Sequence, residues 1–209
     1  MPFPLKPISL KFRADVLNLK DIFDREWLKP KTFERDLLIE ACFLKSVIAW
    51  EEFIENYTLT CLCEGEIRRG VIIKPKRGIS VCQNLHDAFK SLKSTRVDWY
   101  TYYYDWLKPN SLEEKIIGRF DPRSRLHSVY SDRIKHNQII VLRNAIAHSS
   151  RKTIKLLEGV FITLIGYIPY TSLSVKPVDF LIETDITGRA YFHILIDFYV
   201  YLEDKLMRS

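Results

Sequence analysis

The sequence predicts an all-α protein, on three observations. Apolar residues recur at three- and four-residue intervals along most of the chain, the spacing that turns one stripe of a helix toward a core. Hydrophobic residues make up 47% of the chain and charged residues 28%, enough apolar material for a sizeable core and too much for wholesale disorder. No linker divides the 209 residues into halves that would each need a separate core, so one helical domain, 1–209, is expected.

The elements follow in order. Lys11 to Trp27 is amphipathic through Val16, Leu19, Ile22 and Phe23, and Pro30 marks its end. Phe33 to Cys63 is the longest helical pattern, with Leu37, Ala41, Leu44, Ile48 and Phe53 as its apolar stripe and Gly65 closing it. The basic run Glu66 to Gly78 favours a loop or a short hairpin, and reads equally as an RNA-facing arm or a plain connector. Asn84 caps a helix running to about Ser94, and Asp98 to Leu107 adds an aromatic-rich helical turn. The aromatics of that turn suit a base-stacking platform or, more simply, a bundle core. Ser111 with Glu114 reads as a capping box. Arg125 to Ser149 forms a second long helix free of glycine and proline, and Gly188 to Met207 the last, with Tyr191, Ile194, Leu195, Phe198 and Leu202 on one face. Between these two, the prolines and β-branched residues of Ile154 to Glu183 argue for loops with a short helical turn or strand.

Several classes of function are excluded. The longest apolar run, Gly159 to Tyr170, is broken by Gly166 and Pro169 and falls short of the roughly 20 residues that span a bilayer, so no membrane partner is expected. The start carries prolines and charges where a signal peptide needs an unbroken apolar stretch, which points to the cytoplasm. Four cysteines are too few for a disulfide scaffold. Cys61 and Cys63 have a metal-like C-x-C spacing but lack a second pair, and read as buried thiols. No Gly-rich phosphate loop, nucleophile elbow or metal-spaced His/Glu cluster is present, so neither a metal nor a cofactor is expected.

The net charge of +6 is not evenly spread. Arg119 to Lys155 holds nine Lys or Arg against Asp121 and Asp132, a local +7, whereas Glu34 to Glu66 holds eight acids against Arg35 and Lys45. A polyanion such as RNA gains from a localised cationic face through counterion release, although a solvated helix face has the same composition. Arg133, Lys135, Arg151 and Lys152 are the candidate RNA-binding cations.

Within this basic stretch, HNQIIVLRNAIAHSS sets three chemically active side chains in an apolar helix. At about 100° per residue, Ile139, Leu142 and Ile146 form a core stripe, while Asn137, Val141, Asn144 and His148 share another face. Arg143 and His148 lie roughly 140° and 7.5 Å apart on an ideal helix, so arginine's reach or a bend at the helix end must bring them to one phosphate. RNA cleavage by the substrate's own 2′-hydroxyl needs a proton-transfer group active near neutral pH and a positive charge for the phosphorane. Histidine supplies the first and the guanidinium fork the second, with no metal. Asn144 is placed to hold the histidine or the scissile phosphate.

Arg143 to His148 is similar to the R-x4-6-H motif of HEPN domains, including the polar residue after the arginine. Ala49 to Glu55 and Ile182-Glu183-Thr184 resemble parts of the RiboL-PSP type of that superfamily, so the likeness covers roughly 34–205, with 1–33 as an N-terminal helix extension. What the resemblance implies is an up-and-down bundle of four or five main helices, a homodimer in which two motifs form a composite site, and an endoribonuclease. Such a protein acts as a toxin or anti-phage abortive-infection effector, with an antitoxin or defence-system partner, and leaves 2′,3′-cyclic phosphate ends. It also marks Glu51 as an auxiliary residue; the alternative is that Glu51 and Glu52 face solvent or pair with the basic helix. One departure is Ser150, where family toxins regulated by a nucleotidyltransferase carry a modifiable tyrosine, and this speaks against that form of regulation. The competing function is a non-catalytic HEPN-like module that binds RNA or a protein. His136 lacks such companions and is read as a surface residue; His86, His127 and His193 are read as having no chemical role.

Overall fold

Helical spacing and capping residues account for most of the elements in the computed structural model, which describes residues 2–92, 106–148, 150–165 and 176–208. In chain order these are β1 (Phe3–Pro4), α1 (Lys6–Trp27), α2 (Phe33–Leu62), β2 (Gly65–Arg68), β3 (Val71–Ile73), α3 (Leu85–Leu92), α4 (Pro109–Ile117), a 3-10 helix (Arg125–Tyr130), α5 (Arg133–His148), α6 (Arg151–Ile165), α7 (Pro177–Ile182) and α8 (Tyr191–Met207). The fold is mainly all-α, with one small sheet. No helix among the described residues is long and apolar enough to cross a membrane.

The chain gathers into two compact units, Met1–Arg13 with Trp50–Arg133 and Tyr201–Ser209, and Ala14–Ala49 with Ile134–Val200. In the first, Phe12 stacks on Phe53 at 5.0 Å and meets the edge of Trp50 at 5.9 Å, above a fully buried layer of Ile54, Tyr57, Cys61 and Leu62. Each such side chain contributes about 1.5–3 kcal/mol by leaving water. Tyr57 Oη donates to the carbonyl of Leu206 at 2.9 Å, which satisfies one of the open acceptors at the end of α8. The sheet lies in this unit in the order β1-β2-β3, with β1 parallel and β3 antiparallel to β2. Phe3 and Leu5 donate their N–H groups to Glu64 and Glu66, and Pro4, which has no N–H, sits between them where none is needed.

α2 ends through Glu64, a non-glycine residue with φ 64°, and not through a glycine cap. Gly65 is required for a different reason: a Cβ there would stand 2.9 Å from Leu5 Cδ1 and 3.3 Å from the Cys61 Cα. Asn84 does cap α3, accepting the Asp87 N–H at 2.9 Å while its Nδ2 donates to the Asp87 carboxylate at 2.8 Å.

In the second unit Phe23 stacks on Phe192 at 4.1 Å, and Phe180 packs between Phe161 and Tyr191, each 5.0 Å away. An ion pair from Lys31 to Asp179 at 2.8 Å and a hydrogen bond between His193 Nε2 and the Asp24 carboxylate at 2.7 Å tie its surface.

Five further expectations are corrected. The helix expected over Arg125 to Ser149 is two: Ser128 and Ser131 return their hydroxyls to the Arg125 and Ser128 carbonyls, competing with helix propagation and separating the 3-10 helix from α5. The expected loops after Ile154 are largely α6 and α7, because burial of Leu157, Val160 and Phe161 on one face outweighs β-branched propensity. Ser111 is not a cap: Pro109, with its preset φ, starts α4 two residues earlier, and Ser111 Oγ accepts from Lys115 Nζ at 2.7 Å. In α2, Leu37 and Ile48 are exposed and the buried face is Ile39, Phe43, Val47 and Trp50. His136 is fully buried, its ring 5.1 Å from that of Phe198. The aromatic run 98–105 lies outside the described residues; Trp106 is buried.

Candidate active site at the end of α5

α5 turns Ile139, Leu142 and Ala145 fully inward, with Ile146 half-buried. The adjoining face reads Asn137 exposed, Val141 and Asn144 half-buried, His148 exposed, so the three motif residues stand on the rim of the core where solvent reaches them. Arg143 Nη1 donates to Asn144 Oδ1 at 3.4 Å, a long hydrogen bond that steers the guanidinium. Asn144 thus serves the arginine, and among the described residues Arg143 meets no carboxylate.

His148 is the last residue of α5, and α6 begins at Arg151. Ser150 caps the new helix, its Oγ accepting the Thr153 N–H at 3.2 Å and its carbonyl the Ile154 N–H at 3.0 Å. The first turn of α6 contains no acid but carries Arg151 and Lys152, both exposed. Cations at the positive end of a helix are disfavoured by about 0.3–1 kcal/mol each, a cost that an anion bound there would relieve.

The other predicted cations are engaged differently. Arg133 donates to Glu113 at 2.5 Å and to Asn110 at 3.2 Å, and Lys135 lies 5.3 Å over the Phe198 ring. No family model matches the chain, and neither does a curated protein or a solved structure. The case for a site therefore rests on the side chains themselves.

Glu51 belongs to the first unit and is buried, which overturns the solvent-facing alternative for it; Glu52 is exposed and pairs with Lys11 at 3.0 Å. Beside Glu51, burial pushes the Glu55 carboxyl above its ordinary range, against the pull of a hydrogen bond from Trp106 and of the Lys115 charge. Cys61 and Cys63 are buried, and burial drives both thiols upward, Cys63 to about 11. No group of three or more His, Cys, Asp or Glu among the described residues could hold a metal ion.

Sequence reasoning missed the Ser150–Thr153 cap, in which Thr153 Oγ1 also donates to the Ser150 carbonyl at 2.8 Å. Its signal was present: a serine seven residues ahead of Leu157, with Val160 and Phe161 following at helical spacing.

Proposed function

We propose that this chain is a metal-independent endoribonuclease of the HEPN type, working as a homodimer whose two motifs form one composite site, in the role of a toxin or abortive-infection effector. The observation that carries the reading is the rim of α5: Arg143, Asn144 and His148 on its last two turns, a guanidinium meeting no carboxylate among the described residues, and two exposed cations in the first turn of α6. In this mechanism the RNA's 2′-hydroxyl loses its proton to one imidazole and attacks the adjacent phosphorus. Arg143, aimed by Asn144, stabilises the dianionic phosphorane. The 5′-oxygen leaves with a proton from the His148 of the second protomer, giving a 2′,3′-cyclic phosphate and a 5′-hydroxyl.

Purified Arg143→Ala and His148→Ala proteins, incubated with tRNA in EDTA beside the unaltered chain, test the proposal. Each is expected to lose about 10²–10⁴-fold in cleavage rate. Undiminished cutting by both variants refutes the assignment, and an unaltered dimer that binds RNA without cutting it assigns the chain to the non-catalytic binding class.

A further inference from the structure

The basic run that the sequence left open between an arm and a connector is an anchored hairpin in the first unit. Its turn is Arg69–Gly70, with Gly70 at φ 83°, where a side chain would be strained, and the Gly70 N–H donates to Glu66 Oε1 at 3.0 Å. The base is fixed: β1 pairs along β2, Ile67 and Pro75 are buried, and the Lys76 N–H donates to the Arg119 carbonyl at 2.8 Å. From this base Arg68, Arg69, Lys74 and Arg77 project exposed, with Lys76 half-buried. None of the five makes an ion pair or a side-chain hydrogen bond among the described residues. Lys11, Arg13 and Arg133 of the same unit all meet carboxylates.

Directly after the hairpin, Ile79, Val81 and Gln83 join Ser91 and Arg119 in the wall of an open cavity of ≈ 600 Å³. Arg119 is held in that wall by donation to the Ser91 carbonyl at 2.8 Å and the Lys115 carbonyl at 3.3 Å.

We infer that the hairpin and this cavity form a binding surface for single-stranded RNA, phosphates lying along Arg68, Arg69, Lys74, Lys76 and Arg77 and one unstacked base entering the cavity. The choice of RNA rests on the nuclease reading. The concave, partly polar wall (Ser80, Gln83, Asp87, Ser91) suits a base better than a lipid surface.

Binding is measured in the full chain carrying His148→Ala, so that a fluorescent single-stranded oligoribonucleotide is not consumed. Replacing Arg68, Arg69, Lys74 and Arg77 by Gln is expected to weaken binding about tenfold or more, and to lower the slope of log affinity against log salt by about 3, at about 0.7 per lost phosphate contact. Arg69→Gln alone lowers the slope by about 0.7, a readout that survives if the fourfold variant folds poorly. Val81→Trp, which fills the cavity, reduces the preference for single strands over a duplex and leaves the slope unchanged. Unaltered affinity and slope in the fourfold variant overturn the inference, as does tight binding to phosphatidylserine vesicles with no binding to RNA. A chain that cuts RNA normally but binds it independently of the hairpin sinks this inference alone; one that binds through the hairpin but cuts nothing sinks only the nuclease reading.

Discussion

Arg13 and Arg143 are both half-buried arginines on helices, and they keep opposite company. In the first unit Arg13 donates to Glu203 and Asp204, and the fully buried Glu203 also accepts from Ser9, so every charge in the cluster is answered within the protein. In the second unit Arg143 meets the neutral amide of Asn144, and His148 stands exposed beyond it. Removing a carboxylate from a partly buried guanidinium cluster destabilises a fold, whereas a guanidinium that meets a neutral amide retains a charge able to bind an anion.

The contrast is broken most directly by exchanging the two kinds of loss. Arg143→Gln is expected to cost about 10²-fold or more in RNA cleavage while leaving stability within about 0.5 kcal/mol, measured by turnover and by urea unfolding. Glu203→Ala should do the reverse, taking one of the two carboxylates that Arg13 meets and the acceptor of the buried Ser9 hydroxyl at a cost of about 1–3 kcal/mol, seen as a lower urea midpoint with cleavage by the folded fraction unchanged. If Arg143→Gln also destabilises by that much, the arginine is structural and the contrast fails.

Smaller effects sharpen the picture of the first unit. Gly65→Ala pushes a methyl against Leu5 and the backbone of α2, and is expected to cost about 1–3 kcal/mol in the same unfolding assay. Asn84→Ala removes the α3 cap for about 1 kcal/mol, with faster hydrogen exchange at Asp87 as the local signature. The buried cysteines are expected to make the protein alkali-sensitive. Burial holds the Cys42 and Cys63 thiols up at about 11, against 9.0 in an unfolded chain. As pH rises past 9 the unfolded chain releases protons that the folded chain keeps, so stability is full below that pH and declines toward 11. A melting temperature that falls over this window, with a shallower fall in Cys63→Ala, is the expected result; no difference between the two proteins contradicts it.

How much of this the sequence disclosed depended on how one-sided each helix is. In α1 and α8, Val16, Phe23, Leu195 and Leu202 are buried as their spacing required. α2 carries two apolar stripes, the one through Leu37 and Ile48 as regular as the buried one through Ile39, Phe43 and Val47; only the neighbouring elements decide between them. β1 is too short, at two residues, to leave a pattern. The burial of His136 was legible after all, since it lies three residues before Ile139 on the core stripe. At the candidate site, the shared rim of Asn144 and His148 followed from helical counting, while the bond between Arg143 and Asn144 did not, because adjacent helical residues do not face one another and only a long side chain folds back across the gap.

One measurement bears most directly on the claim that Arg143 and His148 cut RNA without a metal: the chemistry of the ends left after digestion in EDTA. The unaltered chain should leave 2′,3′-cyclic phosphates and 5′-hydroxyls, and His148→Ala should leave the RNA intact. Fragments ending in 3′-hydroxyls and 5′-phosphates, or equal digestion by the variant, would contradict it.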